Sequence, residues 1–289
     1  MHLSVDCRLA LYADDSALIF SHSDPNVIAG RLSHELSSCK KWLTDNKLSL
    51  HVGKTESILF GTSKRLKRVR DFQVTCDGKA VGRVSTVKYL GAKLDEDFKF
   101  KTHVTELINK CAGRISFLYR NSSLLDFNCR KIMCNALVQP YLDYCCSSWY
   151  SSLTERLRTR LDVLQRRMVK FIFSKDMLYH VSPEDLRKLS WLSIPDRVKY
   201  FKLLHVFKIR HGKAPGYMQG NFVPISQGHS HNTRNSSYNY RISREIANAP
   251  SSFSFTSIKH WNSLPSFLKE LNSEKLFKSR LKEHMFSDY

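Results

Sequence analysis

The feature that most constrains this chain is a change of hydrophobic period near Phe100. Upstream, apolar residues come in short runs broken by turn residues, whereas downstream they recur three and four positions apart. Val104, Leu107, Ile108, Cys111, Ile115 and Leu118 fall at offsets 3, 4, 7, 11 and 14; Leu157, Leu161, Leu164, Met168 and Phe171 fall at 4, 7, 11 and 14. Each set draws one apolar stripe along a helix. A strand-rich first third followed by a helical remainder defines an α+β chain.

In the first third, Leu9 and Leu11 precede Tyr12-Ala13-Asp14-Asp15-Ser16, and Ala17 to Phe20 follow it, the pattern of a β-hairpin around an Asp-rich turn. Asp24-Pro25 supplies a helix start, with Asp as N-cap and Pro at the first helical position. Ile28, Leu32, Cys39 and Leu43 share one face of that helix, which ends near Asn46. Ser57 to Phe60 reads as a short strand closed by Gly61. Phe72 to Leu94, with Asp77-Gly78 inside it, reads as a second hairpin.

In the remainder, Ile132 to Tyr144 reads as a buried helix interrupted at Pro140. Ser182-Pro183-Glu184-Asp185 is a capping-box-like start, and Pro195 opens a helix that stops at Gly212. Lys213 to Pro250 has no clear period and reads as a long irregular connection. Trp261 is expected in a turn running on through Leu264-Pro265, before a last amphipathic helix carrying Phe277, Leu281 and Met285. Trp42, Trp149, Trp191 and Trp261 read as core residues rather than base-stacking platforms.

Charge limits the partners. Lys+Arg exceed Asp+Glu by 46 − 26 = +20, so the surface is expected to favour a polyanion. The eight cysteines are scattered without a C-x-x-C pair and read as buried thiols in a reducing compartment. His229 and His231 are not spaced for a zinc site with any cysteine. With no signal-like run and no apolar stretch of membrane-spanning length, an intracellular location, nucleus or cytoplasm, and no membrane partner are expected.

The residues that could carry chemistry start at Asp14 and Asp15. Adjacent carboxylates at a hairpin tip suit Mg²⁺, a hard cation that takes oxygen ligands and shares its remaining positions with phosphates. An ordinary Asp-containing turn explains the same residues without a metal. Arg156, Arg158, Arg160, Arg166, Arg167 and Lys170 surround the polar side of one predicted helix, as a phosphate-gripping surface would, or as a solvated face would. The tract from Lys64 to Arg70 reads as either a localisation-type signal or a phosphate contact.

Taken in order, these pieces resemble a known family. Leu11-Tyr12-Ala13-Asp14-Asp15-Ser16 resembles the central metal-binding hairpin of reverse transcriptase palms. Trp42-Leu43-x-x-Asn46-Lys47-Leu48-Ser49-Leu50, then Lys54-Thr55-Glu56-x-x-Leu59-Phe60, resembles the next palm motif; Val87-Lys88-Tyr89-Leu90-Gly91-x-x-Leu94-Asp95, with Phe100 and His103, resembles the primer-contacting hairpin and its exit into the thumb. Gln139-Pro140-Tyr141-x-x-Tyr144, Trp149, Leu189-x-Trp191-Leu192-x-Ile194-x-x-Arg197, Ala214-Pro215 and Trp261-Asn262-x-Leu264-Pro265 resemble C-terminal landmarks of jockey-like, non-LTR (LINE-type) retrotransposons. The likeness runs over nearly the whole chain, and its specificity lies in the ordered set.

The resemblance implies an incomplete palm over residues 1–99, a helical thumb over 100–175 and a basic, mainly helical C-terminal region over 176–289. It implies Asp14 as a metal ligand with Asp15 as a weaker contributor, and Lys54 as the acid that protonates departing pyrophosphate, although a solvated loop lysine is the other reading. His51-Val52-Gly53 precedes Lys54 where the family usually places Asn two or three residues ahead. Nucleic-acid contacts are implied for Tyr12, Lys88, Tyr89 and Gly91, and for Arg156, Arg160, Arg166, Arg167 and Lys170 as a thumb surface. The implied partners are an RNA template, a DNA primer, deoxynucleotide triphosphates and Mg²⁺, in template-directed nucleotidyl transfer by the intact parent.

Such palms also take an Asp from an earlier strand and a Gly-rich loop, and neither motif precedes Tyr12 in this sequence. Asp6 lies eight residues before Asp14, roughly 26 Å if extended, too far to share an ion unless the chain reverses. The chain is therefore expected to be inactive alone. The alternative is a non-catalytic RNA- or DNA-binding module derived from a retrotransposon.

Overall fold

The computed structural model describes residues 7–227 and 238–287. Strands and helices are both present and largely segregated, giving the expected α+β class. The chain divides into two compact units, residues 1–103 and 104–289.

The first unit opens with β1 (Arg8–Tyr12) and β2 (Asp15–Ile19), paired antiparallel with Leu9 opposite Leu18 and Tyr12 opposite Asp15. The turn is therefore only Ala13-Asp14, and Ala13 accepts a φ of +50° to close it. Helix α1 (Pro25–Asp45) starts where the sequence indicates: the Asp24 side chain accepts from the Asn26 N–H at 2.8 Å. Short elements follow: β3 (Glu56–Ser57), α2 (Ser63–Leu66), β4 (Thr75–Cys76), β5 (Lys79–Ala80), β6 (Gly82–Arg83), β7 (Thr86–Tyr89) and β8 (Ala92–Asp95).

The single hairpin expected over Phe72–Leu94 is instead two. β4 and β5 turn at Asp77-Gly78, and β7 and β8 turn at Leu90-Gly91; all four turn residues have positive φ, between 44° and 81°, as tight two-residue hairpins require. β3 pairs in parallel with β6, so Ser57 lies beside Arg83. Among the described residues each ladder has only two strands. What joins the elements is an apolar cluster: Ile28, Ala29 and Leu36 from α1 meet Leu59, Leu66, Phe72, Val74, Cys76 and Val81, with Leu18 and Phe20 packed on it from the first hairpin.

Among its described residues the second unit has helices and a single β-bridge, Pro224 to Tyr240. Its helices are α3 (Lys101–Arg120, whose first residues precede the unit boundary), α4 (Phe127–Leu137), α5 (Gln139–Asp143), α6 (Cys146–Trp149), α7 (Glu155–Ile172), α8 (Pro183–Lys188), α9 (Ile194–Arg210), α10 (Arg244–Ala247), α11 (Phe253–Asn262), α12 (Ser266–Lys269) and α13 (Glu274–Phe286). All the stripe residues named for α3 and α7 are buried. Pro140 splits the expected helix into α4 and α5, because it supplies no N–H for the ladder; Ile132, expected inside, is 63% exposed. The capping box at Ser182 and Asp185 is formed in both directions.

Four further expectations need correction. Trp261 lies within α11, not in a turn, and its Nε1 donates to the Tyr238 carbonyl at 2.8 Å. The stretch 213–250 is not structureless: it contains short 3₁₀ turns at Gly216–Asn221 and Ile225–Gln227, the bridge and α10, while His229 and His231 lie outside the described residues. Trp149, Trp191 and Trp261 are core, but Trp42 is 41% exposed. The cysteines are all free; six are buried, whereas Cys129 and Cys145 are exposed.

Candidate functional site

The first hairpin presents Asp14 and Asp15 at its tip. Asp14 occupies the turn and Asp15 the first position of β2, opposite Tyr12, so the two carboxylates leave the backbone at successive positions of a tight reversal. All three side chains are exposed, Tyr12 to 65%. Leu9 and Leu18 form the side of the hairpin that turns towards the core, whereas Tyr12, Asp15 and Ile19 share the opposite face. The hairpin thus serves as a short stalk holding two acids in water.

These residues fit a divalent ion only in part. Among the described residues neither carboxylate has a protein cation paired with it, and both are open to solvent. Yet among the described residues no group of three His, Cys, Asp or Glu side chains comes together as a metal site, and Asp6 lies outside the described residues. Two carboxylates leave Mg²⁺ mostly hydrated and do not pin a pair of ions.

Lys54 ends a 3₁₀ turn, Val52–Lys54, that runs directly into β3. Its side chain is exposed, and no hydrogen bond or ion pair joins it to Asp14 or Asp15 among the described residues. Lys88 projects outward from β7, while Tyr89 is half-buried and Gly91 sits at φ +81°, a conformation that a side chain would strain. The same hairpin ends in Asp95, which is buried at 8% exposure and accepts from Thr86 Oγ1 at 3.3 Å and from the Thr102 N–H at 3.4 Å. That second bond satisfies an orphan donor at Thr102.

The basic side of α7 is less available than its sequence suggests. Arg156 and Arg166 are exposed, but Arg160 is half-buried and donates to Asn109 Oδ1 at 3.4 Å. Arg158 is held by the Ser151 carbonyl and lies over the Tyr150 ring. Arg167 is half-buried, and Lys170 donates to the Met177 carbonyl. Long cationic side chains lay their stems on apolar surface, which the helical spacing does not reveal. The five cations between Lys64 and Arg70 are all exposed, while Leu66 and Val69 anchor their segment to the core.

Sequence reasoning missed a second cationic feature. Lys110 and Arg114, one turn apart on α3, both lie over the Tyr141 ring, at 4.5 and 4.3 Å, and Arg114 donates to the Tyr141 hydroxyl at 2.8 Å. The i, i+4 spacing of the two cations was visible; the ring between α3 and α5 was not.

With that geometry in place, comparison shows that the chain is similar to RNA-directed DNA polymerases of mobile elements. The relatives include the probable RNA-directed DNA polymerase from transposon BS of Drosophila melanogaster, 28% identical over 187 residues, covering 62% of this chain and 20% of the relative. Another is the RNA-directed DNA polymerase from mobile element jockey of Drosophila funebris, 26% identical over 170 residues, covering 57% of this chain and 18% of the relative. The resemblance to jockey-like, non-LTR reverse transcriptases is thus borne out by both, and the chain spans about a fifth of the length of these curated relatives. No family model matches the sequence. Among the described residues, no helix is long and apolar enough to cross a membrane.

Proposed function

We propose that this chain is the primer-proximal part of a reverse transcriptase, in which residues 1–99 form part of the palm, 100–175 the thumb and 176–289 a basic C-terminal region. The supporting observation is the Ala13-Asp14 turn, which holds two solvent-exposed carboxylates beside Tyr12 at a hairpin tip. In the intact polymerase, Asp14 and Asp15 would contribute ligands to Mg²⁺, and Lys54 would stand near the departing pyrophosphate as a proton donor. Template RNA, primer DNA and deoxynucleotide triphosphates are its proposed partners. The chain alone is expected to bind primer–template through its cationic surface and not to extend it, because among the described residues no third ligand joins the two carboxylates to organise two ions.

Primer extension with Mg²⁺ and all four deoxynucleotides tests both halves. The expected result is salt-sensitive binding and no extension. Extension that Asp14→Ala abolishes would refute the inactivity, and an absence of binding at low salt would refute the polymerase reading. Binding without extension also fits a non-catalytic RNA- or DNA-binding module. Asp14→Asn introduced into the full-length parent separates the two, since only a palm residue stops its synthesis.

A further inference from the structure

Helix α13 buries Phe277, Leu281 and Met285 on one side. Its other side, with Tyr200 of α9, forms an open groove of about 580 Å³ lined by Tyr200, Glu274, Lys275, Lys278, Ser279 and Lys282. Lys275, Lys278 and Lys282 follow one another at three and four residues and so lie along one line. At 1.5 Å per residue the line covers on the order of 10 Å, longer than the ~3.4 Å rise between successive phosphates of a strand.

The charge in this groove is not balanced from within. Among the described residues Glu274 is its single lining acid; it pairs with Lys278 at 2.7 Å and receives Lys208 at 3.7 Å. Among the described residues, Lys275 and Lys282 have no carboxylate within ion-pair distance. Lys282 is half-buried, its amine 5.7 Å from the Phe286 ring centre, with Arg197 and Lys131 close enough to repel it. Burial first, and those two cations second, lower its pKa. Arg197 is itself neutralised by Asp143, which leaves Lys275 and Lys282 as the unmet charge among the described residues.

We propose that the α9–α13 groove holds the phosphodiester backbone of the bound nucleic acid, in addition to the arginines of α7. The inference rests on the nucleic-acid reading above. A strand supplies anions at a regular spacing without base-specific contacts, matching a row of lysines that offers no planar, two-pronged recognition.

The test uses the whole chain, a fluorescein-labelled RNA template annealed to a DNA primer, and anisotropy titrations over a potassium chloride series. Lys275→Gln with Lys282→Gln is expected to flatten the slope of log affinity against log salt by about 1.8, two lost phosphate contacts at about 0.9 each. Glu274→Gln is expected to tighten binding severalfold at low salt, a gain that misfolding does not produce. If the wild type binds and neither variant changes its affinity or slope, the groove proposal alone falls. If the wild type does not bind, the groove and the polymerase reading fall together. Labelled polyglutamate binding more tightly than primer–template, and losing affinity in the lysine variant, would reassign the groove to an acidic protein and overturn the proposal.

Discussion

Arg197 of α9 grips Asp143 of α5 with two nitrogens, Nη2 to Oδ2 at 2.6 Å and Nε to Oδ1, while Gln139 adds a bond to Oδ1 at 3.3 Å. Both Gln139 and Arg197 belong to the motifs that suggested the family, and the pair shows what those positions do: they lock two helices of the second unit together. Both ion-pair side chains are about three-quarters buried, at 26% and 23% exposure.

Arg197→Leu is therefore expected to cost about 2 kcal/mol, less than the ~3–5 kcal/mol of a fully sealed pair, because it strands the Asp143 carboxylate. Arg197→Leu combined with Asp143→Leu should recover much of that loss. Urea unfolding of the singles and the double decides; a double variant no better than Arg197→Leu alone would contradict it.

A second expectation concerns pH. Lys202 is 1% exposed, with its amine on Ser151 Oγ and Thr256 Oγ1 at 2.6 Å each, and burial lowers its pKa to about 8. Between about 8 and the ordinary lysine value of 10.5 the unfolded chain binds more protons than the folded one, so stability rises with pH across that window. Lys202→Met should abolish this rise. Parallel pH dependences of the urea midpoint in both proteins would count against it.

The α7 arginines divide into two groups with different signatures. Arg156→Gln with Arg166→Gln, both exposed, should lower the salt slope of primer–template binding by about 1.8 and leave stability unchanged. Arg160→Gln breaks the bond to Asn109 and should act on stability with little change in slope. Anisotropy and thermal melts on the same samples separate the two.

Turn geometry supplies a fourth. Gly91 stands at φ +81° in the β7–β8 turn, so Gly91→Ala should destabilise the first unit by about 1 kcal/mol. Gly30, with open space around its Cβ position, lies inside α1, where Gly30→Ala should stabilise by a similar amount, about 0.5–1 kcal/mol. A stabilised Gly91→Ala, read by chemical denaturation, would show that the turn is not formed as described.

The helices were legible because their signals are local. Asp24-Pro25 and Ser182-Pro183 set their starts, and the buried faces of α3 and α7 follow directly from spacing. The Asp14 hairpin was legible for the same reason. The split into two hairpins around Asp77 and Leu90 and the helical setting of Trp261 rest on local turn and cap signals that the apolar spacing overlooked, whereas the engagement of Arg160 by Asn109, 51 residues away, depends on a contact distant in sequence. The groove lysines were visible as a spacing on the last helix, but only Tyr200 across from them makes that spacing a surface.

The four tryptophans are unequally shared. Trp149, Trp191 and Trp261 are sealed in the helical unit, whereas Trp42, on α1, is partly open to water. The first unit thus carries a single, solvent-tuned fluorophore, and a variant retaining only Trp42 would report by its emission colour when that unit loosens, independently of the helices.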